Sequence, residues 1–403
     1  MSALPTIDTA ERRRRIGARH FLAAERRAAE PVAVADGLVG IHATDPASVY
    51  LGLRARVRAF TKDALAAALY DDRSLLKILG MRRTMFVTPV GLGSVIQAGV
   101  TADLAAGERR RLLGMLEAAG VADDPQQWLA AVENETVAAL GALGEATASD
   151  LTKRVPGLRE QIPFGSGTKW QGTVGVGTRL LFLLATEGRI IRGRPKGSWI
   201  SSLYRWVAMD AWVQGGLEPW PPERARAELA RRWLAAFGPG TQRDLQWWTG
   251  WTVAKTKAAV RDAGAVEVGI TDGSTRTATV APGWALPGDT DRTADDAPWV
   301  ALLPALDTTT MAWAERGFYL GDLAPRLFDR NGNAGPTIWL DGRIVGGWAQ
   351  RATGEVVTRL FEDVGQERSR EIEAEADRLA GWFGSDRVIP RFRTPTEREL
   401  VAA

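Results

Sequence analysis

The side chains best suited to acid–base chemistry lie in one short run, Ile41-His42-Ala43-Thr44-Asp45-Pro46. An imidazole, whose reference pKa is about 6.5, can accept a proton from water at neutral pH. The Thr44 hydroxyl can donate or accept a hydrogen bond, and the Asp45 carboxylate can orient an imidazole or offset a developing positive charge. Pro46 disfavours a helical conformation at Asp45, so the chain bends there. His42, Thr44 and Asp45 are therefore candidates for holding a water molecule, or for an ordinary structural turn.

The chain has one other histidine, His20, and no cysteine. His20 shares an apolar helix face with Ile16 and Ala24, which favours a hydrogen-bonded core residue over a functional one. Two histidines without cysteine leave no ligand set for a zinc cluster. The sequence also has no Gly-Lys-Ser/Thr phosphate loop, no dinucleotide fingerprint and no Gly-x-Ser-x-Gly elbow. We therefore expect no metal and no cofactor.

The composition is that of a globular protein of several domains. The 403 residues are 45% hydrophobic and 25% charged, which is an ordinary balance. Lys plus Arg total 51 against 48 Asp plus Glu, a formal charge of +3, which does not by itself indicate a polyanionic partner. Arginine is much commoner than lysine, and guanidinium pairs well with phosphate. The absence of cysteine suits a reducing cytosol, and no uninterrupted apolar run approaches the roughly 18–20 residues of a membrane span. We expect a cytoplasmic protein.

Residues 1–100 show the element order of a winged helix. Helical patterns are predicted over 8–31, 33–40, 48–57 and 62–70, and the apolar run at 75–79 leads into a strand pattern at 84–88. A basic turn, Gly80-Met81-Arg82-Arg83, precedes the strand pattern. Arg82, Arg83 and Thr84 are candidates for contacting phosphate, although a solvated turn would have the same composition.

The same order recurs in residues 101–215 and 216–272. The second copy has helical patterns over 101–140, from 147 and over 172–184, and a hairpin of 189–193 with 197–200. That hairpin places Arg192, Arg194 and Lys196 on a wing, where arginine forks suit phosphate. Lys169 and Trp170 follow a glycine-containing stretch and could present an aromatic ring to distorted DNA. Three copies at similar spacing favour a tandem array.

Residues 273–403 change to short strand patterns. These lie at 275–280, 299–303, 337–340, 344–348 and 355–361, and a helix is predicted over 366–383. Asn331-Gly332 and Asp341-Gly342 are typical of tight hairpin turns. The predicted fold class is therefore α+β, with three tandem winged-helix units followed by a small C-terminal β-barrel that a helix closes.

Several segments, taken in their order along the chain, resemble those of a known family. They are Gly37–Pro46, Leu79–Thr88, Asp244–Gly250, Leu302–Asp307, Asn331-Gly332 and Pro336–Gly346. Together they resemble the winged-helix family that includes the AlkZ and YcaQ DNA glycosylases. The resemblance implies three tandem winged helices around a DNA-sized concave surface and a C-terminal β-barrel. It also implies hydrolysis of the N-glycosidic bond of N7- or N3-alkylated purines, in some members within bulky adducts or interstrand crosslinks, and in several members as self-resistance to a genotoxin.

The family's active motif consists of glutamine, an apolar residue, then glutamine or aspartate, and its polar side chains are thought to hold the attacking water. The matching positions here are His42 and Thr44, with Ala43 between them, so both polar residues differ from the family pattern. Cleavage of an alkylated purine needs a positioned water and stabilisation of an oxocarbenium-like sugar. His42, Thr44 and Asp45 can supply both. The resemblance therefore gives these three residues the catalytic role.

Two functions follow as hypotheses. The first is a monofunctional DNA glycosylase that acts on double-stranded DNA containing an alkylated purine, because no lysine near the motif suggests a Schiff base. The alternative is a non-enzymatic DNA-binding protein, either a regulator or a lesion sensor. A weaker third hypothesis is a protein that sequesters a DNA-damaging small molecule. We expect a monomer, because internal repeats reduce the need for a dimer.

Overall fold

The structure is a computed structural model and describes residues 4–165, 171–271, 280–390 and 393–402. The chain forms two compact units. Unit 1 consists of Met1–Ala66 and Arg226–Ala403, and unit 2 consists of Ala67–Ala225. The domains predicted at 1–100, 101–215, 216–272 and 273–403 are based on the repeated order of helices and strands, whereas the two units are defined by their compactness. The domain bounds stay a prediction. Helices and strands are mixed in both units.

The first segment of unit 1 consists of short elements. Its strands and helices are β1 Thr6–Ile7, α1 Thr9–Arg19, α2 Pro31–Gly37, β2 Ile41–His42, α3 Pro46–Arg54 and α4 Lys62–Ala66. Asp8 caps α1, because its carboxylate accepts a hydrogen bond from the Glu11 N–H at 2.7 Å. The single helix predicted over 8–31 is wrong: α1 ends at Arg19, and Phe21 takes a left-handed φ of 59°. That conformation cannot continue a right-handed helix.

Unit 2 begins with a hairpin and continues with helices. Its elements are β3 Leu75–Leu79, β4 Met85–Pro89, α5 Val90–Ile96, α6 Ala102–Ala119, α7 Pro125–Leu143, β5 Glu145–Ala146, α8 Ala148–Arg154, β6 Gln161–Phe164, β7 Gly172–Gly175, α9 Val176–Thr186, β8 Ile190–Pro195, β9 Tyr204–Ala208 and α10 Met209–Trp212. The predicted cap at Thr147 is confirmed, since its hydroxyl and the Asp150 carboxylate form a reciprocal capping box. The strands β5, β9 and β8 make one sheet in that order.

The core of unit 2 is aliphatic. Leucines from α6, α7, α8 and α9 meet there, among them Leu116, Leu140, Leu151 and Leu180. Residues 90–119 form one continuous helical stretch that is apolar enough by composition to cross a membrane, and half of its most apolar window is buried in the unit. Such burial is typical of a core helix in a globular unit.

The second segment of unit 1 begins with helices and a small sheet. These elements are α11 Pro222–Phe237, which starts before the segment boundary, α12 Gln242–Thr249, α13 Val253–Asp262, β10 Val266–Thr271 and β11 Val280–Ala285. Threonines cap α12 and α13: the Thr241 hydroxyl accepts the Asp244 N–H at 3.1 Å, and the Thr252 hydroxyl accepts the Lys255 N–H at 3.3 Å. β1 pairs parallel to β10, which pairs antiparallel to β11.

The rest of unit 1 is an antiparallel sheet with helices against it. The elements are β12 Val300–Leu303, α14 Gly317–Leu320, α15 Ala324–Leu327, β13 Thr337–Leu340, β14 Arg343–Gln350, β15 Val356–Leu360, α16 Gln366–Phe383 and α17 Pro395–Ala402. Asp341 and Gly342, with φ values of 47° and 88°, make the predicted tight turn between β13 and β14. Two positive φ values in succession are those of a type I′ hairpin.

The predicted C-terminal β-barrel is not what the described residues form. β12, β13, β14 and β15 make an open four-stranded sheet in that order, so β12 and β15 are its two edges. The first strand of the predicted barrel, at 275–280, lies mostly outside the described residues, and β11 beside it pairs with β10 instead. Four strands are fewer than even the five of the small partly open barrels, which explains why this sheet stays open.

Candidate functional site

The candidate catalytic segment connects β2 to α3 in unit 1. Val39 and Gly40 both have positive φ, 54° and 97°, and turn the chain out of α2. Ile41 and His42 are extended, and Asp45 is the N-cap of α3, where its carboxylate accepts the Ala47 N–H at 3.0 Å. The bend predicted from Pro46 is therefore a helix start, since proline fits the first helical position.

A threonine from a distant part of the chain holds this segment in place. The His42 backbone N–H donates to the Thr308 hydroxyl oxygen at 2.9 Å. The same hydroxyl lies 3.5 Å from the Gly40 carbonyl oxygen and donates to it. Further along, the Ser48 hydroxyl donates to the Ala305 carbonyl at 2.6 Å. We call residues 304–310 the support loop, because they contact the segment on both sides of His42.

A buried ion pair anchors the support loop. The Arg56 guanidinium, in a residue only 1% exposed, donates to both oxygens of Asp307 at 2.7 and 2.9 Å. It also donates to the Thr309 hydroxyl at 2.8 Å and to the Gly52 carbonyl at 2.7 Å. Bidentate arginine–carboxylate pairs fix direction as well as distance. The end of α3 and the support loop are thus locked to one another.

His20 is a structural residue, as its position on an apolar helix face predicted. It is 1% exposed, and its Nδ1 lies 2.8 Å from the Thr309 hydroxyl. Its Nε2 lies 3.2 Å from the Ala236 carbonyl, which can only accept, so Nε2 carries the proton. Burial, together with the nearby Arg56 charge, lowers the pKa of His20 to about 3. The imidazole is therefore neutral and extends the network of the buried ion pair.

The three candidate catalytic side chains differ in environment. His42 is buried, with 4% exposure, whereas Thr44 is exposed. Asp45 is half-buried, and burial raises the pKa of its carboxyl. Asp45 makes its hydrogen bond with Ala47 and not with His42. The role of orienting His42, which the sequence suggested for Asp45, therefore falls to a backbone contact with Thr308.

The predicted basic turn between β3 and β4 is a tight turn of unit 2, Met81–Arg83. Arg82 and Arg83 have positive φ values, 54° and 59°. The Arg83 guanidinium pairs with Glu108 at 2.8 Å while remaining 44% exposed. The Thr84 hydroxyl donates to the Met81 carbonyl at 2.8 Å. Thr84 thus closes the turn, and Arg83 keeps an exposed edge for a phosphate.

The predicted wing residues have different partners. The hairpin is formed by β8 and β9, so its second strand starts at Tyr204, four residues after the predicted strand ends. The Arg192 guanidinium stacks over the Tyr204 ring at 4.3 Å, and Arg194 pairs with Asp71 at 2.6 Å. Lys196 is exposed just beyond β8. Lys169 and Trp170 lie outside the described residues.

One basic residue beside the wing was not predicted. Lys77 lies on β3, and its amine donates to the Tyr70 hydroxyl at 2.6 Å. Burial, together with the nearby Arg192 charge, lowers the pKa of Lys77 to about 8. No local sequence signal marks this residue, because it occupies one position of an otherwise apolar strand.

Comparison with known proteins places this geometry in a family. Residues 35–382 match the family model described as DNA glycosylase AlkZ-like. That span includes the candidate catalytic segment, the support loop and the wing. The chain belongs to the AlkZ-like DNA glycosylase family. The resemblance that the sequence motifs suggested is therefore confirmed.

Comparison with other sequences and with solved structures shows which fold this AlkZ-like chain shares. No curated protein sequence matches it. Among solved structures it is similar to Streptomyces sahachiroi DNA glycosylase AlkZ, with a TM-score of 0.68 and 18% sequence identity. The likeness covers 94% of this chain and 98% of that one. At this identity the similarity shows a shared fold.

The support residues of the AlkZ-like site were missed by sequence reasoning. Asp307 stands in a segment that carried the resemblance, but nothing local gave it a role. Its partner Arg56 lies 251 positions away, and Thr308 lies 266 positions from His42. A single sequence carries no periodicity or spacing that links such distant positions.

Proposed function

We propose that this protein is a monofunctional DNA glycosylase that hydrolyses the N-glycosidic bond of N7- or N3-alkylated purines in double-stranded DNA. The observation that carries the proposal is the fixed position of the segment that matches the family's active motif. The hydrogen bond from the His42 N–H to Thr308 and the capping of α3 by Asp45 hold this segment at both ends. A rigid segment suits a reaction in which a water must be positioned.

In the proposed reaction, one water attacks the anomeric carbon of the deoxyribose. The water oxygen forms the new bond to that carbon, and His42 accepts the proton that the water loses. The N-glycosidic bond breaks, and its electron pair neutralises the cationic purine, which leaves without protonation. The Thr44 hydroxyl hydrogen-bonds the water. The carboxylate of Asp45, the residue after Thr44, stabilises the positive charge that develops on the sugar.

The burial of His42 and the exposure of Thr44 are compatible with this division of roles. His42 ends β2, and Thr44 lies two residues later in the bend before α3, so in this proposal the two side chains approach one water from different depths. A base sheltered from bulk solvent holds a single water rather than exchanging it freely. The support loop keeps the backbone of His42 from moving when DNA binds.

We also propose that the chain carries winged-helix units. In unit 2, the order α7, β5, α8, α9, β8 and β9, with the sheet order β5-β9-β8, is that of a winged helix. In unit 1, α11, α12 and α13 precede β10 and β11 in a similar order. The exposed Lys196 and the partly exposed Arg83 are the proposed phosphate contacts, joined by Arg82, Arg192 and Arg194.

The experiment that tests the function is a panel of modified duplexes incubated with the wild-type protein. The panel contains 7-methylguanine, 3-methyladenine, a bulky N7 adduct and an interstrand crosslink, with an unmodified duplex as control. The proposal expects free base and an abasic site from at least one alkylated duplex, without strand cleavage. Duplex binding with no base released from any substrate would overturn it.

That second outcome would instead support a non-enzymatic DNA-binding protein. The observation that favours this alternative is the replacement of both polar residues of the family motif by His42 and Thr44, together with the burial of His42. We further propose that the protein acts as a cytoplasmic monomer, in self-resistance to a genotoxin. Sedimentation with and without DNA tests the oligomeric state.

A further inference from the structure

Unit 2 contains an open groove that the proposed reaction does not use. Its volume is about 410 Å³, which is within the range of small-molecule sites. One wall is a face of α6, and the other combines the end of β6 with one arginine of α9. The lining residues are Arg111, Gly114, Met115, Ala118, Pro163, Phe164, Gly165 and Arg179.

An aromatic ring forms the flat part of this groove. Phe164 ends β6 and lies opposite Gly172 of β7 in the hairpin register. A Cβ on Gly172 would lie only 3.0 Å from the Phe164 ring, so the ring packs directly on the glycine. The half-buried Phe164 shares the groove with the half-buried Met115 and with Pro163. The floor can therefore receive a planar apolar group.

The groove carries two arginines, and the one on α9 has a guanidinium nitrogen without a hydrogen-bond partner among the described residues. The Nε of Arg179 is buried and makes no hydrogen bond with any described residue. Arg111 pairs with Glu108 at 3.1 Å, but 54% of its side chain is exposed. None of the described residues that line the groove is acidic. A half-buried guanidinium beside apolar groups gains stability when an anion completes its hydrogen bonds.

We propose that this groove binds one nucleotide of a single-stranded DNA segment, with its base stacked on Phe164 and its phosphate bound by Arg179. A planar ring beside an unpaired guanidinium is the combination that single-strand binding sites use. The base must be unpaired, because both faces of a base inside a duplex are covered by its neighbours. The choice of DNA as ligand rests on the proposed function, in which a damaged duplex is locally opened.

Binding of single-stranded oligonucleotides to the full chain tests the proposal. The probes are a fluorescein-labelled thymidine octamer and an octamer of the same length whose residues are abasic analogues, and the dissociation constant is measured by anisotropy at several salt concentrations. Phe164→Leu should weaken binding of the thymidine octamer by about tenfold, because stacking on one aromatic is worth roughly that factor or more. It should leave binding of the abasic octamer unchanged.

Arg179→Gln should have a different signature. It should weaken binding of both octamers and reduce the salt slope by about 0.7, the value for one phosphate contact on a single strand. The matched control is Arg154→Gln, which removes an exposed arginine of α8 in the same unit that does not line the groove. Its affinity and salt slope should equal those of the wild type. Circular dichroism confirms that all three variants are folded.

The groove proposal is overturned if Phe164→Leu binds the thymidine octamer as the wild type does, or if Arg179→Gln and Arg154→Gln give the same slope. Base release from alkylated duplex is measured on the same proteins as a separate readout. If the variants change octamer binding as expected but the wild type releases no base, the groove proposal is supported and the glycosylase proposal is contradicted. If the wild type releases the base but the variants bind the octamers as the wild type does, the glycosylase proposal is supported and the groove proposal is contradicted.

Discussion

The hydroxyl of Thr308 accepts a hydrogen bond from the backbone N–H of His42 at 2.9 Å, across 266 positions of sequence. Thr308 is only 3% exposed, and its neighbour Asp307 is locked by Arg56. The position of the candidate base is therefore set by a loop that is largely buried. Such positioning can govern a reaction rate, because small misplacements of a catalytic group are costly.

Replacement of Thr308 should separate catalysis from DNA binding. Thr308→Val keeps the shape but removes the acceptor of the His42 N–H, so the single-turnover rate of base release should fall by about tenfold or more. The dissociation constant for duplex DNA should stay within about twofold of the wild-type value. Thr308→Ser keeps the hydroxyl and should restore most of the rate. Equal rates for the valine and serine variants would show that Thr308 has no positioning role.

Loss of one partner of the buried ion pair should destabilise unit 1. Asp307→Ala leaves the Arg56 charge buried and uncompensated, which should lower the free energy of unfolding by roughly 3–5 kcal/mol. The matched control is Glu399→Gln in the exposed pair with Arg359, where the loss should stay below about 1 kcal/mol. Urea unfolding followed by tryptophan fluorescence measures both. A small effect of Asp307→Ala would mean that the support loop is held by other contacts.

Local elements could be predicted from the sequence, whereas the site's supports could not. Capping residues, proline and glycine act within a few positions, and α8 begins directly after Thr147, where the sequence predicts a helix start. The strand Thr337–Leu340 and the helix Gln366–Phe383 also have the predicted bounds. These patterns are short-range, so one sequence contains them in full.

The errors have a physical reason as well. The predicted helix over 8–31 failed because Phe21 takes a left-handed conformation that tertiary packing imposes, although its residue type does not favour it. The barrel failed because strand patterns do not specify which strands pair. In the candidate site, His42, Thr44 and Asp45 stay a prediction from residue type and family resemblance, and Asp45, expected to orient His42, instead caps a helix. Hydrogen-bond partners at long range are decided by the fold.

Acid should destabilise the protein through His20. The pKa of His20 is about 3 in the folded state, because the imidazole is desolvated, against about 6.5 when unfolded. Between these values the unfolded chain binds the extra proton, so this contribution to stability is complete above pH 6.5 and is lost as the pH falls toward 3. Between pH 7.5 and 5.0 it should remove about 2 kcal/mol.

Urea unfolding of the wild type and of His20→Gln at these two pH values checks this contribution. Glutamine stays neutral, so the difference between the two pH values should be smaller by about 2 kcal/mol in the variant. The variant is expected to be less stable than the wild type at both pH values, which does not affect the comparison. Identical pH dependence in the two proteins would contradict a buried neutral His20.

The wing should contribute to duplex binding through the exposed Lys196. Lys196→Gln should lower the slope of log K against log salt by about 0.9 and weaken binding to all duplexes alike, as loss of one phosphate contact does. Arg194→Gln should have a smaller effect, because Asp71 already neutralises that guanidinium at 2.6 Å. Anisotropy on an unmodified duplex at several salt concentrations measures both. Equal slopes for Lys196→Gln and the wild type would remove this lysine from the interface.

The most direct test is the single-turnover release of the base from an alkylated duplex by the wild type, His42→Ala and Thr44→Ala. If His42 is the general base, its removal should lower the rate by about 100-fold or more, and Thr44→Ala should lower it less. Matched thermal stability and duplex affinity show that each variant still folds and binds. Release by His42→Ala at the wild-type rate would contradict catalysis by this segment.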